Sequence, residues 1–275
     1  MNKKMELHIL TFSPTGTSRK VAEGIARGID FPATHLTDIT HKEAGRQIFG
    51  NSQPLLVSLP VYGGHVAPMA LKRMEGIRGS NTPAIAVVVY GNRHYEQALE
   101  ELAAFLSERG FRIVAAGTFI GEHSYSTEQT PIAVGRPDAR DMEFAGQFGQ
   151  EIAKKLKEGS GDEEVVVGSI EQPEQDAATM QNFKQTVMTW MKSGLQMPAS
   201  PLVDASLCSA CGICADLCPS SAIDRNSPQE TDASLCIKSC ACVKGCPSQA
   251  RTFPTPFARL LADNFNIRKE NKFLV

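Results

Sequence analysis

Cys208-Ser-Ala-Cys211-Gly-Ile-Cys214-Ala-Asp-Leu-Cys218-Pro219 is the stretch on which the reading of this chain turns. Its four cysteines are separated by two, two and three residues, and a proline follows the last. That spacing lets three thiolates wrap three corners of one [4Fe–4S] cubane while the fourth cysteine turns away, across the proline, toward a second cluster. A second cysteine group should therefore lie close by, and Cys236, Cys240, Cys242 and Cys246-Pro247 supply it. Zinc sites use paired CxxC or Cys/His knuckles rather than a packed triplet ending in Cys-Pro. A disulfide framework fits less well still, because the N-terminus carries no export signal: Glu6 and His8 interrupt any apolar run.

The second group departs from the first. A regular repeat would place cysteines at 236, 239, 242 and 246, but position 239 is serine and the extra cysteine is its neighbour Cys240. Three readings follow. A local shift lets Cys240 supply the thiolate, the serine oxygen ligates, or the site loses one iron and holds [3Fe–4S]. Thiolate suits iron–sulfur chemistry better than alkoxide, which favours Cys240. On the regular exchange, cluster one takes Cys208, Cys211, Cys214 and Cys246, and cluster two takes Cys218, Cys236, Cys240 and Cys242.

The chain has 275 residues, which suggests about two domains at about 150 residues each. Its eight cysteines all lie between 208 and 246, and this segregation also argues for two modules. A net charge of −2 gives no basic field for nucleic acid or anionic membrane. The longest apolar run, Ala84–Tyr90, is far short of the roughly 20 residues a membrane helix needs. A cytoplasmic protein in a reducing compartment, without membrane insertion, is expected. The six histidines are scattered and form no metal-ligand spacing, and no GxSxG elbow supports hydrolysis.

Residues 5–158 alternate strand-like and helix-like segments. Leu7–Phe12, Thr34–Ile39, Leu55–Leu59, Ala84–Tyr90 and Arg112–Ile120 read as strands. Ser18–Ile29, Pro68–Ile77, Glu96–Arg109 and Asp138–Lys157 read as helices, with a short helix at most over Lys42–Phe49. Such alternation predicts a parallel sheet with helices on both faces, and five strands suggest the order 2-1-3-4-5. Residues 159–201 form a linker: Gly159-Ser-Gly-Asp-Glu-Glu is loop-like, Val165–Val167 could pair briefly, and Met180–Leu195 reads as a helix. Its Phe183, Val187, Trp190 and Met191 stripe is expected to be buried where the two modules join. The cysteine module occupies 202–253. The tail, 254–275, carries Phe257, Leu260, Leu261 and Phe265 at helical spacing, as for a helix packed back on the body.

After the first strand comes Ser13-Pro14-Thr15-Gly16-Thr17-Ser18, running into a helix. Its hydroxyls, its glycine and the helix N-terminus suit a phosphate monoester. Neither Walker A nor GxGxxG occurs. Two further loops follow strands three and four, where doubly wound sheets bind ligands. They are Pro60-Val61-Tyr62-Gly63-Gly64-His65 and Gly91-Asn92-Arg93-His94-Tyr95, each pairing glycine with an aromatic that can cover a flat heterocycle.

On these loops, residues 5–158 resemble a flavodoxin. The resemblance implies non-covalent FMN held by Ser13, Thr15, Gly16, Thr17 and Ser18, with Pro60, Val61, Tyr62, Gly63, Gly64, Gly91, Asn92, Arg93 and Tyr95 around the ring. It places Tyr95 on the isoalloxazine and Tyr62 in the loop flanking the other side. Arg93 and His94 replace the usually acidic or small residues of the second flavin loop, and Arg93 is expected to favour the anionic reduced flavin. With the cysteine module included, about nine-tenths of the chain is similar to fused flavodoxin–ferredoxin proteins: an α/β, five-stranded flavodoxin-like domain followed by a bacterial ferredoxin-like α+β domain with two [4Fe–4S] clusters. The resemblance extends over Gly121-Glu-His123-Ser-Tyr125-Ser126 and Gly135-Arg-Pro-Asp138, whose residues suggest no role by themselves. An electron carrier working with a partner protein is the expected function. An FMN-dependent reductase of a small molecule and a cluster-based regulatory module are the alternatives.

Overall fold

The computed structural model describes residues 5–158 and 163–275. The beginning of the expected linker, Gly159-Ser-Gly-Asp162, and the first four residues lie outside the described residues. Contacts divide the chain into two units: Met1–Glu122, Gly135–Gln172 and Lys269–Val275 form one, and His123–Val134 with Pro173–Arg268 form the other. This division does not follow the linear cut at 158 and 202. The first unit lends residues 123–134 to the second, and the last seven residues of the expected tail return to the first.

The first unit is built on five parallel strands: β1 (Leu7–Thr11), β2 (Thr34–Asp38), β3 (Leu55–Tyr62), β4 (Thr82–Tyr90) and β5 (Phe111–Ile120). Their order is β2-β1-β3-β4-β5, the doubly wound flavodoxin-like arrangement expected from the alternation. Every residue of β4 is buried, as its unbroken apolar composition requires of a central parallel strand. The helices between them are α1 (Thr17–Ile29), α2 (Pro68–Arg73), α3 (Ala98–Ser107) and α4 (Ala139–Lys157). In α1 the periodic Val21, Ala22, Ile25 and Ile29 are all buried. Helices α1 and α4 approach closely at glycines: a Cβ on Gly149 would lie 2.1 Å from the Ile25 carbonyl oxygen. Asp138 caps α4, accepting from the Asp141 N–H, while the Asp141 carboxylate accepts from the Asp138 N–H.

The segment expected as a short helix over 42–49 is instead a loop ending in a strand, Gln47–Phe49, which pairs with Ile77–Gly79. Its β-branched and aromatic end, Ile48-Phe49, finds a strand partner that linear reading could not locate. Val165 does pair briefly, its N–H donating to the Ile113 carbonyl at 2.8 Å.

The second unit contains α5 (Ala177–Ser193), β6 (Leu202–Val203), α6 (Ile213–Asp216), α7 (Ala241–Lys244), β7 (Arg251–Thr252) and α8 (Pro256–Asn264). Strands β6 and β7 pair antiparallel and close the cysteine module. The stripe on α5 is only partly covered. Phe183 meets Phe265 and Trp190 meets Phe257, both against the α8 segment, whereas Met191 is 79% exposed. The expectation that this stripe is buried is corrected here: the helix is one layer over α8, so its outer side stays in solvent. The chain then returns to the first unit as β8 (Lys272–Leu274), antiparallel to β5, adding a sixth member to the main strand order. Among the described residues no helix is long and apolar enough to cross a membrane.

Candidate functional site

Topology places the carboxyl ends of β1, β3 and β4 side by side, and the order reverses between β1 and β3. Ligands bind doubly wound sheets at such a switch point. The first loop there is held from within. Ser13 N–H donates to Thr40 Oγ1 at 2.8 Å, Ser13 Oγ accepts the Arg19 N–H at 3.0 Å, and Gly16 enters α1 with φ of 85°. The Thr17 and Ser18 N–H groups at the head of α1 are among the donors that a helix leaves unpaired. Ser18 Oγ is buried with no hydrogen-bond partner. This set of N–H and hydroxyl donors without an acidic group fits a phosphate monoester. Gly121, at the end of β5, supports the loop from the side: a Cβ there would come within 3.0 Å of Thr17 Cβ.

The second and third loops are joined by the Gln97 N–H donating to the Gly64 carbonyl at 3.0 Å, and by Glu101, which accepts from Val66 N–H at 3.0 Å and pairs with His65. Tyr62 is half-buried and exposes part of its side chain. Tyr95 does not have that freedom. It is 2% exposed, packed edge-on to Tyr90 at 5.6 Å between ring centroids, and its buried phenol is pushed up to about 12 by desolvation. The stacking role expected of Tyr95 is therefore corrected: no ring face is open to a flavin, and Tyr62 is the aromatic that could lie over one. Arg93 pairs with Glu96, which places a counter-charge beside it. The less expected cation is Lys269, from the tail. Its N–H approaches Asn92 Oδ1 at 3.4 Å, and its Nζ donates to the Arg93 carbonyl at 2.6 Å. Burial, with Arg93 nearby, lowers its pKa to about 8.

The motif 135–138 acquires a role. Arg136 Nε donates to Asp141 Oδ2 at 2.8 Å, and the pair is almost fully buried. Arg136 also donates to the Lys269 carbonyl at 2.7 Å, Asn271 Nδ2 donates to Asp141 Oδ1 at 2.8 Å, and Asn271 Oδ1 accepts the Ile120 N–H at 2.9 Å. Burial opposes ionisation of Asp141. The hydrogen bonds from Arg136, the Asp138 backbone and Asn271 nevertheless hold its carboxyl below the usual range. This network fastens the returning tail beside the third loop.

In the second unit, Cys208, Cys211, Cys214 and Cys246 line one cavity together with Gly212, Pro228 and Arg251. These are the four cysteines expected to hold cluster one, brought together by the exchange across Cys-Pro. Cys242 lies in the electrostatic field of Cys218, Cys236 and Cys214. The Cys240 thiol is buried and pushed up to about 12 by desolvation and by neighbouring Cys242 and Cys236. All eight cysteines are free of disulfides. The segment 123–134 packs in this unit: Tyr125 lies 5.2 Å from Phe253 between ring centroids, and Lys244 Nζ donates to the Ser126 carbonyl at 2.7 Å.

One grouping was hidden from a linear reading of the histidines. His8 and His35 are register partners on β1 and β2, stacked at 4.7 Å, and with Glu6 they bring together three side chains of types that can ligate a metal.

Residues 201–224 match the family model described as a 4Fe-4S binding domain. No curated protein matches the chain. Among solved structures, an archaeal flavodoxin is 15% identical, covering 56% of this chain and 99% of its own at a TM-score of 0.37. A flavodoxin from Streptococcus pneumoniae TIGR4 is 14% identical, covering 54% of this chain and 98% of its own, with a TM-score of 0.38. An NAD(P)H:quinone oxidoreductase from Methanothermobacter marburgensis is 15% identical over 56% of this chain and all of its own, with a TM-score of 0.32. The strand order itself, rather than these distant likenesses, carries the description of a flavodoxin-like sheet joined to a 4Fe-4S binding region.

Proposed function

We propose that this chain is an electron-transfer protein that passes electrons between two iron–sulfur clusters and FMN, and onward to a redox partner protein. The supporting observation is that one chain combines an eight-cysteine module with a phosphate-suited loop at a sheet switch point. FMN exchanges one or two electrons and each cluster one, so a protein holding both converts between single-electron carriers and two-electron donors or acceptors. This chain's residues would contribute positioning. Ser13, Thr15, Gly16, Thr17 and Ser18 hold the phosphate, Tyr62 covers the ring, and Pro60, Val61, Gly63, Gly64, Gly91, Asn92 and Arg93 border it. Cys208, Cys211, Cys214 and Cys246 hold the first cluster. Cysteines devoted to clusters suit a reducing compartment.

The test is iron, acid-labile sulfide and FMN per chain on anaerobically purified protein, followed by reoxidation of the reduced protein. FMN at about one per chain together with seven to eight irons supports the reading. Full iron without FMN overturns the flavin half. Saturable turnover of quinones, nitro compounds or enones would instead establish a small-molecule reductase.

A further inference from the structure

The two halves of the cysteine module repeat at a constant offset of 28 residues, and the repeat is closer than cysteine spacing alone reveals. Asp204-Ala-Ser-Leu-Cys208 recurs as Asp232-Ala-Ser-Leu-Cys236. Each aspartate accepts from the serine two residues on, at 2.9 Å from the N–H and 2.6 Å from the hydroxyl. Asp204 N–H donates to the Ala250 carbonyl and Asp232 N–H to the Ala222 carbonyl, so the halves clasp each other reciprocally. Cys218 and Cys246 each lie 3.6 Å, sulfur to oxygen, from the hydroxyl of the serine two residues on.

The backbone between these anchors shows no slip. Positive φ occurs at Ala210 and Lys238, at Gly212 and Cys240, and at Ser221 and Gln249, each pair 28 residues apart. Gly212 is the N-cap of α6 and Cys240 the N-cap of α7. The following turns match bond for bond: Ala215 N–H to the Gly212 carbonyl and Val243 N–H to the Cys240 carbonyl are both 3.0 Å. A shift that moved Cys240 into the place of Cys211 would have to break this correspondence at the residue next to it. Position 239 is therefore the counterpart of the ligand Cys211, and Cys240 is the counterpart of a left-handed glycine. An L-residue in that conformation is strained, as it also is at Ala210, Ser221, Lys238 and Gln249 in the same module.

We infer that the second site is a three-thiolate site formed by Cys218, Cys236 and Cys242, in which Ser239 occupies the fourth ligand register and Cys240 stays outside the ligand set. The inference rests on the two-cluster reading above and refines it. The second site holds a three-iron core, or a cubane whose fourth iron has no protein sulfur and is readily lost.

Four forms of the full-length protein test it, purified without air and then oxidised with ferricyanide: the parent, Ser239→Cys, Cys240→Gly and the double variant. Iron is counted, and EPR is recorded before and after reduction. The parent is expected to retain about seven irons after oxidation and to show the signal of an oxidised three-iron cluster. Ser239→Cys should restore about eight irons and remove that signal. Cys240→Gly, which installs the residue of the first repeat, should leave the parent's iron and signal unchanged. The reduced signal of the first cluster reports that each variant is folded. Loss of second-site iron in Cys240→Gly, with Ser239→Cys without effect, would overturn the inference while leaving two clusters in place. Absence of iron from the parent would overturn the cluster reading itself.

Discussion

The buried ion pair of Arg136 and Asp141 makes a demanding test of how the tail is held. The two side chains are 5% and 1% exposed and are held by several polar partners. Asp141 accepts from Arg136, the Asp138 N–H and Asn271, and Arg136 also donates to the Lys269 carbonyl. Asp141→Ala leaves a buried guanidinium without its counter-charge and strands the Asn271 amide, so a loss of about 3–5 kcal/mol is expected. Arg136→Met exposes the converse problem, a buried carboxylate, with a loss of similar size. The double change Arg136→Met/Asp141→Leu removes both charges and leaves mainly the Asn271 amide unpaired, a cost of about 1–3 kcal/mol. The cycle should therefore show a coupling of at least about 3 kcal/mol. Urea unfolding followed by far-UV circular dichroism measures it, while iron–sulfur absorbance separately follows the second unit, so that a single transition is not assumed. Amide exchange of β8 should accelerate in both single variants, because Arg136 and Asn271 fasten the segment that leads into it. Additive single costs, or single costs below about 1 kcal/mol, would refute the view that this pair is a desolvated, mutually dependent unit. The same pair predicts an acid limb. The Asp141 carboxyl is held below its unfolded value, so its contribution is complete at neutral pH and is lost as pH falls through the folded value.

Three shorter predictions follow. Lys269 has a folded pKa of about 8 against 10.5 unfolded, so between these values the unfolded chain binds the extra proton and stability rises with pH; thermal unfolding from pH 7.5 to 10 should show the rise in the parent and lose it in Lys269→Met. Gly121→Val places carbon against Thr17 at the phosphate loop, so fluorescence titration should find FMN binding weakened about tenfold or more, a loss of roughly 1.4 kcal/mol, with iron content unchanged. Gly149→Ala drives a methyl into the Ile25 carbonyl and should cost about 1–3 kcal/mol by urea unfolding; a neutral result would mean α1 and α4 separate freely.

Much of this molecule is legible in local patterns. Cysteine spacing identifies the iron–sulfur module because three of a cubane's thiolates come from one short segment. Strand–helix alternation gives the five parallel strands of the main sheet because period and β-branching are properties of each segment alone. The loop proposed to hold a phosphate is recognisable because its hydroxyls and glycine gather between Ser13 and Ser18. What the linear chain leaves open depends on residues far apart in it. Tyr95 satisfies a motif by spacing, yet its ring turns into the core against Tyr90. His8 and His35 meet only because β1 and β2 pair in one register. Asp141 meets Asn271, 130 residues further on, and Lys269 reaches the Arg93 carbonyl from the tail. Ser239 and Cys240 are one residue apart, and composition favours the cysteine as ligand. On the proposed assignment backbone conformation separates their roles: the left-handed position at 240 and the matched turns on either side put Ser239 in ligand register. Local chemistry names the cofactors this chain can hold; packing and hydrogen-bond register decide which side chains face them.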